Sequence, residues 1–163
     1  MNVLVLCTAN SARSILGEAV FNQLGAGRIT AYSAGSTPAG QPHPGALRLL
    51  ARRGIATAGF RSKSWDEFAR PGAPAVDVAV TVCGRAAGEV CPVFPGAPLR
   101  AHWGLEDPAH VPGGDDAVDA AFEATWAALE ARVRALLALP FETMTRDGLA
   151  RELARIGQMD AVP

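Results

Sequence analysis

The chain reads as an α/β protein with a four-stranded parallel sheet flanked by helices. Three observations carry that reading. Short apolar runs alternate with longer segments whose apolar residues recur at helical spacing. The runs are rich in Val, Leu and Ala, as strands buried on both faces are. The 163 residues, 49% of them hydrophobic and 19% charged, suit one domain with a sizeable core and exclude a disordered chain.

Each element follows in order. Val3 to Leu6 forms the first strand, which ends at Cys7. Thr8 to Ser14 is a loop of small and polar residues. Leu16, Ala19, Val20 and Leu24 then repeat at helical spacing, and Gly25 stops the helix. Ile29 to Ala34 is a second strand, closed by Gly35. After a Pro- and Gly-rich loop, Pro44 opens a helix carrying Leu47, Leu50 and Ala51, ended by Gly54. Ser64 to Phe68 reads as one short helix. Val76 to Val82 is the third strand and again ends at a cysteine, Cys83. Pro92 to Pro98 is extended loop, and Leu99 to Trp103 the fourth strand. A loop from Gly104 to Gly114 holds Asp107-Pro108. From about Asp116 to Leu139, Val118, Phe122, Trp126, Leu129, Val133 and Leu136 line one face of a long helix that Pro140 stops. A last helix follows Thr145, with Leu149, Leu153 and Ile156 on one face and Gly157 as its cap. Residues 1–140 are expected to form the main domain, with 141–163 as a helical extension packed on it.

The 15 Lys+Arg against 16 Asp+Glu give a net charge of −1. Such a balance supplies no basic field for nucleic acid and no acidic tail. The apolar runs are too short for a signal peptide or a membrane span, so a soluble, cytoplasmic protein without a membrane partner is expected. Three cysteines cannot close a disulfide framework. In a reducing compartment they are ligands, catalysts or core residues. The spacing of Cys83 and Cys91 does not suit zinc, even with His102 nearby, so no metal site is expected.

Five residues separate Cys7 from Arg13, between a strand and a helix start. Free N–H groups at a helix N-terminus make a cradle for an oxyanion. Arg13, one turn into the helix, folds back to clamp two oxygens with its planar fork. The same positive potential favours the thiolate of Cys7, a nucleophile held under the bound anion. Asn10, Ser11 and Ser14 brace the loop, and Ser14 can donate to the Cys7 sulfur.

Cys7 to Ser14, CTANSARS, resembles the phosphate-binding loop of the low-molecular-weight tyrosine phosphatase superfamily, and within it most closely the arsenate reductases. Further motifs follow in the family's order: Tyr32-Ser33-Ala34-Gly35, Thr81-Val82-Cys83-Gly84, Val90-Cys91-Pro92, and His102-Trp103-Gly104-Leu105-Glu106-Asp107-Pro108. The resemblance runs from about residue 2 to residue 140 and implies that family's Rossmann-like three-layer fold.

It also implies roles. Cys7 is the nucleophile, and Thr8, Ala9, Asn10, Ser11, Ala12, Arg13 and Ser14 form the oxyanion loop. Asp107 is the general acid that protonates the departing oxygen, a task for which a raised pKa is expected. Cys83 attacks the Cys7–arsenate adduct, arsenite leaves, and a Cys7–Cys83 disulfide remains. Cys91 then moves the bridge to Cys83–Cys91 and frees Cys7. No cofactor is bound. Thioredoxin, or glutathione with glutaredoxin, reduces the protein again. Phosphate and sulfate compete with arsenate as oxyanions.

Family members coupled to thioredoxin often bind potassium beside this loop. Asn10, Glu18 and Ser33 match part of that site, but Lys63 stands where the potassium-binding pattern has no lysine. The reading is that Lys63 replaces the ion with Glu18 as partner. The phosphatase branch differs elsewhere. It has a cysteine where Ala12 stands, a proline where Ile15 stands, and tyrosines where Ala109 and His110 follow Asp107-Pro108. Two other functions remain open on sequence: a phosphatase acting on small phosphate esters, and a non-catalytic oxyanion or redox sensor. The three histidines read first as structural or solvated residues, and His102 alone is a candidate to orient the Asp107 loop.

Overall fold

The computed structural model describes residues 1–83 and 97–159. Cys91, the 84–91 stretch and most of the proline loop before Pro98 lie outside the described residues, as do 160–163 at the end of the extension.

Val3, Leu4, Val5 and Leu6 are at most 1% exposed, so strand β1 (Asn2–Cys7) is buried on both faces. A strand with two apolar faces belongs in the middle of a parallel sheet. It lies there: β2 (Thr30–Gly35), β1, β3 (Val78–Thr81) and β4 (Leu99–His102) form a parallel sheet in the order β2-β1-β3-β4. Cys7 pairs with Gly35 across β1 and β2, and Leu6 with Thr81 across β1 and β3. The chain leaves β1 in one direction to β2 and reaches β3 on the other side. The crevice between the carboxyl ends of β1 and β3 is therefore the topological switch point, where such sheets bind ligands. Cys7 and Cys83 sit there.

The two sheet faces have different covers. Val3, Val5 and Cys7 pack under α1 (Arg13–Leu24), α2 (Pro44–Arg52), α3 (Gly114–Leu137) and α4 (Arg146–Gly157). Leu4 and Leu6 face Trp65 and Phe68 of a short 3₁₀ helix, Trp65–Phe68, whose first turn Ser64 caps. The expected stripe of α3 is buried from Phe122 to Leu136, with Val118 partly so. Arg28 caps the end of α3 by donating to the carbonyls of Leu137 and Leu139, and it pairs with Glu142 at 2.7 Å. Thr145 caps α4 by accepting the N–H of Gly148.

Several boundaries differ from the sequence reading, β4 ending at His102 and the long helix at Leu137 among them. β2 begins at Thr30 and includes Gly35, and β3 spans Val78–Thr81. α3 starts at Gly114, because Gly113 adopts a left-handed conformation (φ 112°) that turns the chain into the helix early. Gly157 is the last residue of α4 and not its cap.

The last helix is tied to the strand end of the sheet. The indole N–H of Trp103 donates to the Leu153 carbonyl at 2.9 Å. Arg132 of α3 is 7% exposed and donates to the carbonyls of Gly104 (3.2 Å) and Met159 (3.1 Å). Gly157 lies against the carbonyl of His102 with no room for a side chain. Among the described residues no helix is long and apolar enough to cross a membrane.

Candidate active site

The loop after β1 is held from outside by its carbonyls. The N–H groups of Thr37, Ala39 and His43 donate to the carbonyls of Thr8, Ala9 and Ser11, each at 2.9 Å. Ser62 Oγ also donates to the Ala9 carbonyl at 2.9 Å. In a trans peptide the N–H points opposite to the C=O. Turning those carbonyls outward therefore turns the N–H groups of Ala9, Asn10 and Ala12 inward. The Asn10 N–H accordingly reaches the Cys7 sulfur at 3.2 Å. Asn10 itself has a left-handed backbone (φ 46°), which Asn tolerates better than most residues. Its side chain is fully buried and works in two directions. Oδ1 accepts the backbone N–H of Lys63 at 2.9 Å, and Nδ2 donates to Ser14 Oγ at 2.8 Å.

Cys7 is 4% exposed and Ser14 Oγ lies 2.9 Å from its sulfur. Arg13 is the first residue of α1, not one turn in, because the loop ends at Ala12. Its guanidinium donates to the Leu105 carbonyl at 3.0 Å and stands 3.7 Å from Asp107 Oδ2. Cys83 is 3% exposed, and its sulfur lies 3.5 Å from Thr8 Oγ1. Cys7, Thr8, Arg13, Cys83, Asp107 and His110 all line one cavity of about 330 Å³. A larger cavity of about 450 Å³ lies behind the Asp107 loop beside Arg132, and no cysteine lines it.

Asp107 opens a short turn, with Oδ1 accepting the Ala109 N–H at 2.9 Å and Oδ2 facing His110 Nδ1 at 2.8 Å. Burial pushes its carboxyl up, but the Ala109 N–H, His110 and Arg13 together outweigh burial. Asp107 therefore titrates below the ordinary aspartate value. The expectation of a raised pKa took an anionic ligand as the neighbour and left out the Ala109 N–H, His110 and Arg13.

Beneath the loop, Ser33 Oγ donates to Glu18 at 2.7 Å. Burial raises the Glu18 carboxyl above its ordinary value, and Ser33, Lys63 and Arg61 bring it only partly back. Lys63 is 9% exposed. Burial lowers its ammonium, with Glu18 acting against that. The expected direct pairing does not form: the ammonium donates to the Arg61 carbonyl at 3.3 Å, and among the described residues no ion pair joins it to Glu18. Asn10 and Lys63 meet through the backbone N–H instead.

Among the described residues no hydrogen bond joins His102 to Asp107. Its Nδ1 lies 2.8 Å from Thr81 Oγ1, and its ring abuts Gly104 at the start of the loop. The reading of the sequence missed His110, the Leu105 carbonyl and the outer brace of residues 37–43. Among the described residues no cluster of His, Cys, Asp and Glu is arranged to hold a metal ion.

A thiol at the switch point of a parallel sheet, under inward-turned amides and an arginine, defines a cysteine-loop protein of the phosphatase type. The chain belongs to the low molecular weight phosphotyrosine protein phosphatase family, whose pattern matches residues 2–150. An arsenate reductase of Halalkalibacterium halodurans is 36% identical over 111 residues, which are 68% of this chain and 76% of that protein. The crystal structure of an arsenate reductase from Archaeoglobus fulgidus matches with a TM-score of 0.64 at 32% identity, covering 84% of this chain and 99% of the other. A thioredoxin-dependent arsenate reductase of Corynebacterium glutamicum matches with a TM-score of 0.58 at 25% identity, over 84% of this chain and 60% of the other.

Proposed function

We propose that this protein reduces arsenate to arsenite through a covalent adduct on Cys7 and a relay of thiols. The observation that carries the reading is the presence of a second cysteine, Cys83, on the wall of the Cys7 cavity. A phosphatase needs one thiol and a water. A reductase needs two electrons, and a neighbouring thiol supplies them. The names of the relatives support the same substrate.

Cys7 attacks arsenic while Arg13 and the amides of residues 8–14 hold the remaining oxygens. Asn10 and Ser14 keep the loop in shape, and Asp107 hands a proton to the oxygen that leaves. Cys83 then attacks the Cys7 sulfur, and the sulfur–arsenic bonding pair stays with arsenic. Arsenic passes from +5 to +3, arsenite departs, and a Cys7–Cys83 disulfide forms. Cys91 attacks Cys83, frees Cys7 and presents a bridge to an external dithiol. Thioredoxin is the donor favoured by the Corynebacterium neighbour, with glutathione and glutaredoxin as the other route. Lys63 supplies the positive charge beside Glu18 and Ser33 in place of a bound cation. The reaction needs a reducing compartment, which places the protein in the cytoplasm. Residues 141–159 act as part of the same domain.

Turnover followed as NADPH loss with thioredoxin and thioredoxin reductase tests the reading. Arsenate-dependent loss that disappears in Cys83→Ser and in Cys91→Ser is expected. Rescue only by glutathione and glutaredoxin changes the donor. The family match favours phosphoester hydrolysis as a second reading. No arsenate turnover with either donor, beside rapid aryl phosphate hydrolysis unaffected by Cys83→Ser, establishes it instead.

A further inference from the structure

The two oxygens of Asp107 have different partners. Oδ1 is taken by the Ala109 N–H. Oδ2 is the oxygen nearest Arg13, at 3.7 Å, and it is the same oxygen that His110 holds at 2.8 Å. His110 thus contacts the carboxylate on its oxyanion side. Its side chain is 84% exposed, yet it lines the Cys7 cavity. The imidazole connects solvent to Asp107.

The departing oxygen needs a proton, and Asp107 titrates below the ordinary aspartate value. At neutral pH the carboxylate is therefore short of the proton it must deliver. Imidazole is the side chain that carries one in that range.

We propose that His110 supplies the proton that Asp107 delivers to the departing oxygen. The proposal rests on the reading of Asp107 as the acid of the site. The Nδ1 proton of the imidazolium moves to Asp107 Oδ2. As Cys7 Sγ bonds to arsenic, the bond from arsenic to a hydroxyl oxygen breaks and its electron pair stays on that oxygen. Oδ2 passes its proton to that oxygen, which leaves as water. Arsenic stays at +5 in this step, and no electron moves to or from the protein. His110 takes a new proton from solvent through its exposed edge. The two groups share one hydrogen bond at 2.8 Å, so the test varies both residues. Other charges face the pair. Arg13 approaches from the start of α1, and His43 acts from the segment before α2 with Arg48 behind it.

The test is the pH profile of kcat for arsenate turnover and for phenyl phosphate hydrolysis. It is run on the wild type, His110→Gln, Asp107→Asn and His43→Asn. The wild type should lose rate as pH rises through the neutral range. His110→Gln keeps a hydrogen-bond donor but carries no titrating proton, so this limb should vanish. Its kcat at pH 7 should fall by roughly tenfold, part of the ~10²–10⁴ a general acid contributes. KM should stay within about twofold, since substrate binding is untouched. His43→Asn should keep the limb. A His110→Gln enzyme with the wild-type rate and limb, beside a slow Asp107→Asn enzyme, overturns the proposal and leaves the Asp107 reading standing. A limb that disappears in His43→Asn and persists in His110→Gln also overturns it. Asp107→Asn at full rate sinks both. If arsenate is not turned over, the phenyl phosphate profile decides by the same outcomes.

Discussion

Ser14 Oγ lies 2.9 Å from the Cys7 sulfur while already accepting the Asn10 side-chain N–H at 2.8 Å. The Ser14 hydroxyl accepts from Asn10 and keeps its own proton free to point at the sulfur. The Asn10 backbone N–H adds a second donor at 3.2 Å. Ser14→Ala should slow alkylation of Cys7 by iodoacetamide at pH 7 by about tenfold, the lower end of the ~1.5–3 kcal/mol carried by a hydrogen bond to a charged group. An unchanged alkylation rate would show that the hydroxyl does not act on the thiolate.

Gly35 supports the loop from behind. A Cβ there would meet the Thr8 carbonyl at 2.5 Å, and the Cys7 carbonyl and Asn10 nitrogen at 2.9 Å. These are backbone atoms of the loop, so they cannot step aside like a side-chain tip. Gly35→Ala should lower stability by ~1–3 kcal/mol, the usual range for overpacking. At ~2–4 °C per kcal/mol for a chain of this size, thermal unfolding should register it readily. Weaker arsenate or phosphate protection of Cys7 should accompany it. Wild-type Tm and wild-type protection together would refute the contact.

Lys63 and Glu18 couple through space rather than by a direct pair. Glu18 titrates above its unfolded value. The folded state therefore holds the extra proton between the two values, and stability declines as pH rises through that window. Removing the ammonium in Lys63→Met should push Glu18 higher still. The variant should lose stability at pH 7, where an ionised Glu18 would lack its nearby positive charge. It should lose much less near pH 4, where Glu18 is protonated in both states. Adding Glu18→Gln should restore the pH 7 value. Equal losses at both pH values would mean that Lys63 acts by packing alone.

Arg28 holds Glu142 down to about 2, first through their hydrogen bonds. A depressed carboxylate contributes stability above its unfolded value and loses it as pH falls towards the folded one. The pair should thus matter at pH 7 and fade between about 4.5 and about 2. In Arg28→Met, NMR titration should return Glu142 to the ordinary carboxylate range. A Glu142 value that stays low would point to another partner.

The sheet was legible because β1 and β3 are apolar on both faces, a pattern that only interior strands show. The loop was legible because cysteine, arginine and the intervening small residues are contiguous. What was hidden depends on distant segments. No local rule links Thr37, Ala39 and His43 to the carbonyls of residues 8, 9 and 11, nor Leu105 to Arg13. His110 is the exception. An aspartate before proline that accepts the N–H two residues on makes a turn, and such a turn returns the third residue to the carboxylate. Asp107-Pro108-Ala109-His110 carried that information. The expectation about Asp107 itself took an anionic ligand as its neighbour, whereas the Ala109 N–H, His110 and Arg13 set the sign of its shift, and sequence spacing does not show the approach of Arg13.

The ties between α4 and residues 102–105 bear on motion. Trp103 is bonded to Leu153, Arg132 joins Gly104 to Met159, and Gly157 seats on His102. Segments bound in this way open together. The amides of Leu105 and Trp103, which bond to Val82 and Thr81, should then exchange with deuterium at rates set by the same opening that exposes α4. A lesion far out on that helix should reach residues 102–105 as a change in how often they open, with every atom of the resting structure in place.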